Sequence, residues 1–156
     1  MWFWRRFLQF RHARQFWIGV LIYVLSFLFV AIAGVRTGSG GPALGYDCAW
    51  TTLLFSWELI KSGPRGLSSM SALDFSFAVS GWINIVFLAF IAIVLSGRAN
   101  VARKALRTAI LLMIPFCWIV FHYERLLPRE GHFLWIAGMV LALFLSRNES
   151  TEEHTS

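Results

Sequence analysis

The stretch FSFAVSGWINIVFLAFIAIVLSG, residues 75–97, decides the fold. It carries no Asp, Glu, Lys or Arg, and an uncharged apolar run of more than about 18 residues is long enough to cross a bilayer as a helix. Lipid offers the backbone no hydrogen-bond partner, so such a run must satisfy its own amides, and a helix does so within the segment. Three more apolar stretches accompany it, residues 17–35, 108–121 and 133–146. Together they predict an all-α fold: a polytopic helical membrane protein with four transmembrane helices, a single membrane domain over residues 1–156.

Composition agrees with this class. Hydrophobic residues make up 58% and charged residues 14% of the chain, against about 45–50% and about 25% in soluble domains. The connections are too short to hold a second domain. A net charge of +6 would suggest a nucleic-acid partner in a soluble protein. Here the basic residues flank apolar spans and no basic-aromatic recognition module is present, so the expected partner is membrane lipid and not nucleic acid. Cys48 and Cys117 form no metal or redox motif, and a bridge between them would need the first outer loop to fold down over the bundle.

The arginines orient the bundle, because cytoplasmic loops retain positive charge during insertion. Arg5, Arg6, Arg11, Arg14, Arg98, Arg103, Lys104, Arg107 and Arg147 fall on one side of the four spans. Arg36, Lys61, Arg65, Arg125 and Arg129 fall on the other, mixed with Asp47, Glu58, Asp74, Glu124 and Glu130. Both termini are therefore expected in the cytoplasm, in a multi-pass protein of a bacterial inner membrane. The basic start and the Ala31-Ile32-Ala33 triplet before Gly34 also resemble a signal peptide, but the apolar run is long for one. An uncleaved first helix is the expectation, and cleavage after Ala33 the alternative.

The opening MWFWRRFLQFRHARQFW interleaves aromatic rings with arginines and suits the headgroup layer as an insertion anchor. TGSGGPALGYD, residues 37–47, is too rich in Gly and Pro for regular structure. Residues 48–61 then place Trp50, Leu53, Leu54, Trp57 and Ile60 on one helical face, which predicts a short amphipathic segment on or dipping into the outer surface of the bundle. Ser71 and Asp74 form a variant capping box at the start of the second span. Pro115 leaves the Leu111 carbonyl without its helical partner and predicts a kink. Gly138 and Ala142 permit close helix approach. The tail, residues 147–156, is polar, and its Asn148-Glu149-Ser150 sequon would lie on the unglycosylated side.

Polar residues inside lipid are costly and mark candidate sites. Ser76, Ser80 and Asn84 recur every four residues on the second span and form one stripe. The stripe is either a packing seam, with Asn84 bonding across to a neighbour, or the lining of a small cavity open to the outside. A second constellation is an outer polar cluster of Asp47, Glu58, His122, Glu124 and His132. Two His and a carboxylate could hold zinc with an open position, but the spacing fits no metal signature, and an outer juncture of polar residues is what any bundle presents. No nucleophile triad, phosphate loop, paired CxxC or HExxH is present, so no catalytic residue, cofactor or metal is assigned.

GYDCAWTTLLFSW, the Asn84 region and HFLWIAG from His132 together resemble an uncharacterised family of small bacterial four-helix inner-membrane proteins. The family pattern is a Gly-initiated outer segment with Leu and Trp, a Trp-Leu-Ala-Asn motif in the second span and a Tyr-x-Leu-Trp-x-Ala motif opening the last. The resemblance covers residues 45–142; Phe133, Leu134, Trp135, Ile136 and Ala137 fit the last motif, whereas Gly81-Trp82-Ile83-Asn84 keeps only the asparagine in register. It implies the four-helix fold and supplies no activity. The expected function is a non-enzymatic accessory or oligomeric membrane subunit, joined to a membrane-protein partner or to copies of itself. The alternatives are a small transporter or channel using the Ser76, Ser80 and Asn84 stripe, and a membrane-embedded metal enzyme built on His122, Glu124 and His132.

Overall fold

The structure is a computed structural model that describes residues 13–33, 41–63, 68–97 and 100–146. Residues 1–12 of the aromatic-arginine opening, residues 34–40, the connection at residues 64–67, residues 98–99, and the tail with its sequon lie outside the described residues. Among the described residues five helices and two short strands follow in order: α1 (Ala13–Ser26), β1 (Ile32–Ala33), α2 (Gly45–Lys61), α3 (Ala72–Ser96), α4 (Asn100–Tyr123), β2 (Leu127–Pro128) and α5 (Glu130–Leu145). Among the described residues the fold is mostly helical, with the short β1–β2 ladder and an isolated antiparallel bridge between Val30 and Leu44.

Two of the helices, α3 and α4, are long and apolar enough to cross a bilayer. Within the described residues the helices at the other two expected spans are shorter. α5, with 16 residues, rises about 24 Å at about 1.5 Å per residue, short of the roughly 30 Å hydrocarbon core, and α1 holds 14 residues in the described part of the chain. The first apolar stretch, expected to run to Val35, leaves the helix at Ser26. No Gly or Pro breaks residues 20–33, so the sequence carries no stop signal there. After Ser26 the chain makes a turn over residues 27–29 and then collects hydrogen bonds that a helix would forgo. Gly45 N donates to Phe29 O at 3.0 Å, Gly131 N to Val30 O at 2.9 Å, and Ala31 N to Ala43 O at 3.0 Å. Antiparallel pairing of Ile32 with Pro128 and Ala33 with Leu127 continues this clamp, and it ties the starts of α2 and α5 to the end of α1.

The helices pack as two antiparallel pairs. Between α1 and α5 the backbones nearly touch: a Cβ on Gly19 would stand 2.6 Å from Ala142 N. Gly138 faces Tyr23 in the same way, so the small-residue pair on α5 meets a third small residue on α1. The α3–α4 hairpin forms the second pair, and α4 runs unbroken through Pro115. Ile83, Phe87 and Phe90 of α3, Ile110 of α4 and Met139 and Leu143 of α5 are fully buried and join the pairs into one core with Phe16, Val20 and Tyr23. At its start α3 forms the capping box, with Asp74 N donating to Ser71 Oγ at 3.1 Å and Ser71 N donating to Asp74 Oδ2 at 2.9 Å.

α2 packs along the first half of α3 through Thr52, Phe55 and Ser56. Ser56, 1% exposed, donates to Ala78 O at 3.1 Å, and Gly81 lets the Thr52 backbone approach to where a Cβ would be 2.7 Å from its carbonyl oxygen. Trp50, Leu54, Trp57 and Ile60 point away from the bundle, Trp50 being 61% exposed. The sequence predicts a segment on or dipping into the outer surface of the bundle and leaves open which way its apolar stripe turns; the stripe lies outward.

Candidate functional site

α2 closes over a cavity of about 540 Å³. Its walls are Asp47, Cys48, Thr51 and Thr52 of α2, Phe77, Ser80 and Asn84 of α3, Cys117, Val120 and Phe121 of α4, Glu124 in the turn that follows it, and His132 and Trp135 of α5, with Ser26 and Ile32 beside them. Five helices and the clamp therefore contribute to one space, most of it apolar.

Asn84 is held by three helices. Its Oδ1 accepts from Tyr23 Oη at 2.9 Å and from Trp135 Nε1 at 2.9 Å. Tyrosine and tryptophan carry a donor on an otherwise apolar body, so each needs one acceptor when buried. One amide oxygen serves both, because an sp² oxygen has two lone pairs. The orientation of the amide follows: Oδ1 is spent, and Nδ2 donates to no group among the described residues. The Tyr23 ring is also fixed by Phe87, with centroids 4.6 Å apart.

His132 lies in an aromatic surround. It is 8% exposed, with ring centroids at 4.3 Å from Phe121, 5.4 Å from Trp118 and 5.5 Å from Trp135, on which it stacks. Its Nε2 is buried and has no hydrogen-bond partner among the described residues. Nearby, Asp47 accepts from Leu44 N at 3.1 Å and so caps α2 from within. Burial pushes the Cys48 thiol up to about 11, and the Asp47 carboxylate beside it acts in the same direction. Cys48 and Cys117 are both free and line the same cavity.

Ser80, Asn84, Asp47, Glu124 and His132 thus share one cavity, drawn from both the polar stripe and the outer cluster. Ser76 does not join them: it is buried, and its hydroxyl donates to Ala72 O at 2.8 Å in its own helix. Glu58 is exposed and paired with Lys61 at 3.0 Å. His122 is exposed, with its ring against Tyr123. Among the described residues no three His, Cys, Asp or Glu are grouped to hold a metal ion, so His122, Glu124 and His132 are not assembled as a ligand set. Tyr23 is the functional neighbour that the polar-stripe reading missed. The signal was available, since a tyrosine inside an apolar span must find an acceptor.

Comparison with protein-family models, with curated proteins and with solved structures finds no match for this chain. Asn84 of α3 and Trp135 of α5 are bonded to each other.

Proposed function

We propose that this chain is a multi-pass integral protein of a bacterial inner membrane, a member of the small four-helix family it resembles. On this reading α1, α3, α4 and α5 all lie in the bilayer, both termini are cytoplasmic, and the protein acts without catalysis as an accessory or oligomeric subunit.

The observation that carries the reading is the outward apolar face of α2. In water a helix buries its apolar side, yet here Thr52 and Ser56 turn inward while Trp50, Leu54, Trp57 and Ile60 turn out. That arrangement is stable where the surroundings are themselves apolar, as lipid chains or another membrane helix are. Large apolar side chains also cover the outside of the two shorter helices, with Ile18, Leu21 and Val24 on α1 and Phe133, Leu141 and Phe144 on α5. A helix short of the hydrocarbon thickness is accommodated by local thinning of the bilayer. The orientation draws on one further contact, the Arg107 guanidinium 5.1 Å from the Phe144 ring, which brings the basic start of α4 beside the end of α5. Clustered arginines favour the cytoplasmic side.

Purification of the full chain in mild detergent tests the role. A discrete oligomer or a stoichiometric companion is expected, and it should dissociate in the Trp50→Ala, Trp57→Ala double variant. A monodisperse, partnerless monomer removes the reading. Reporters active in only one compartment, fused after Ser156, test the orientation. The transporter or channel alternative is favoured by one observation, that Ser80 and Asn84 line a cavity; flux of a small neutral solute into reconstituted vesicles, lost in Ser80→Leu, is its test.

A further inference from the structure

The cavity is lined by two residues, Asn84 and His132, with polar atoms that the fold leaves unspent, and both lie against one indole. Trp135 donates its N–H to Asn84 and stacks its ring on His132. Because two donors occupy Oδ1, Asn84 offers its Nδ2 hydrogens. His132 is more than nine-tenths buried, with Nε2 unpartnered. A buried polar atom without a partner is rare in a folded protein, since it forfeits hydrogen bonds it could make with water. Small-molecule pockets occupy about 300–1,000 Å³ and combine apolar walls with a few convergent polar groups, and a space of about 540 Å³ between Phe77, Val120 and Trp135 has that form.

We propose that this cavity is a binding site for a small, largely apolar, uncharged molecule bearing a carbonyl or hydroxyl oxygen, which Asn84 Nδ2 and the His132 imidazole hold. The walls select the charge. Asp47 and Glu124 oppose an anion, while the amide hydrogens of Asn84 oppose an ammonium group. A neutral oxygen satisfies both: it accepts from Asn84, and it accepts from or donates to His132 according to which ring nitrogen carries the proton. The same chemistry is found in the ester carbonyl of a membrane lipid and in a free apolar ketone or alcohol.

Benzophenone tests the site, because it is apolar, neutral, carries one carbonyl and crosslinks to neighbouring C–H bonds under near-ultraviolet light. The full chain in nanodiscs is irradiated with increasing benzophenone and the adducts are mapped by mass spectrometry. Saturable labelling at Val120 or Ile32 is expected, with diphenylmethane, which lacks the oxygen, competing at least about fivefold more weakly, the worth of about one hydrogen bond. His132→Leu should weaken labelling by a similar factor and His132→Gln should restore it. Nanodiscs of ether-linked and ester-linked lipid separate the sources. Tighter labelling in the ether lipid identifies a lipid ester as the competitor, and equal labelling identifies a free molecule. No saturable labelling of the cavity in either lipid overturns the proposal. Equal competition by diphenylmethane does so too, and needs no variant to fold.

Discussion

Asn84 and Trp135, 51 positions apart, are joined by a 2.9 Å hydrogen bond, and the same asparagine oxygen receives the Tyr23 hydroxyl. One side chain therefore ties α3 to both members of the α1–α5 pair. Asn84→Leu would leave two donors without an acceptor. Each orphaned buried donor costs about 1–3 kcal/mol, although cross-helix bonds in membrane proteins average nearer about 0.6 kcal/mol. A loss of roughly 1–4 kcal/mol is expected, read as a lower midpoint in thermal unfolding in detergent. Tyr23→Phe removes one donor together with its demand and should cost less than half as much. Equal losses in the two variants would contradict the shared-acceptor arrangement.

The α1–α5 contact depends on Gly19 and Gly138, where an added Cβ would meet backbone and not a movable side chain. Backbone cannot give way as a rotamer can, so the helices must separate. Gly19→Ala and Gly138→Ala should each destabilise by about 1–3 kcal/mol, the usual range for overpacking, and Gly138→Val by more. Proteolytic resistance in detergent checks this. Gly45→Ala serves as a comparison outside the α1–α5 contact, because its obstruction is the backbone of residues 26 and 27.

Part of the site was readable from sequence because helix geometry repeats. A period of four put Ser80 and Asn84 on one stripe, and the arginine asymmetry put Asp47, Glu124 and His132 on a common side. The same period could not separate Ser76 from its neighbours, and Ser76 turns into packing against its own backbone. Nor could sidedness tell that Glu58 and His122 face away from the cavity. The end of α1 at Ser26 was hidden by an apolar run with no breaker, where the gain from pairing comes from residues 43–45 and 127–131, far along the chain. The pose of α2 was hidden for a different reason. An amphipathic pattern says which residues share a face, and only the surrounding medium says whether that face turns inward.

That medium can be probed at Leu54, which lies in the outward stripe of α2 and is 45% exposed. A nitroxide placed by Leu54→Cys, in a chain carrying Cys48→Ala and Cys117→Ala, should relax with dissolved oxygen and not with a water-soluble nickel chelate. If the stripe meets lipid, Leu54→Arg should lower the yield of folded protein, since a charge at the centre of a membrane helix costs about 2.5–3.5 kcal/mol on insertion scales. Glu58→Ala, at an exposed ion pair with Lys61, should change stability by under about 1 kcal/mol. Relaxation dominated by the nickel chelate would put the stripe in water.

Cys48 reports on the cavity through its acidity. Burial and the Asp47 carboxylate both disfavour the thiolate, which raises the thiol from its ordinary value to about 11. Maleimide reacts with the thiolate, so at neutral pH the reactive fraction is small and should grow about tenfold for each pH unit below the pKa. In a Cys117→Ala chain the labelling rate at Cys48 should therefore keep rising past pH 9, where an ordinary thiol of pKa about 8.5 has levelled off. Asp47→Asn removes the like charge, lowers the pKa and should speed labelling at any fixed pH below it. A rate that levels off near pH 9 in the Cys117→Ala chain would mean that α2 does not hold Cys48 against the cavity wall.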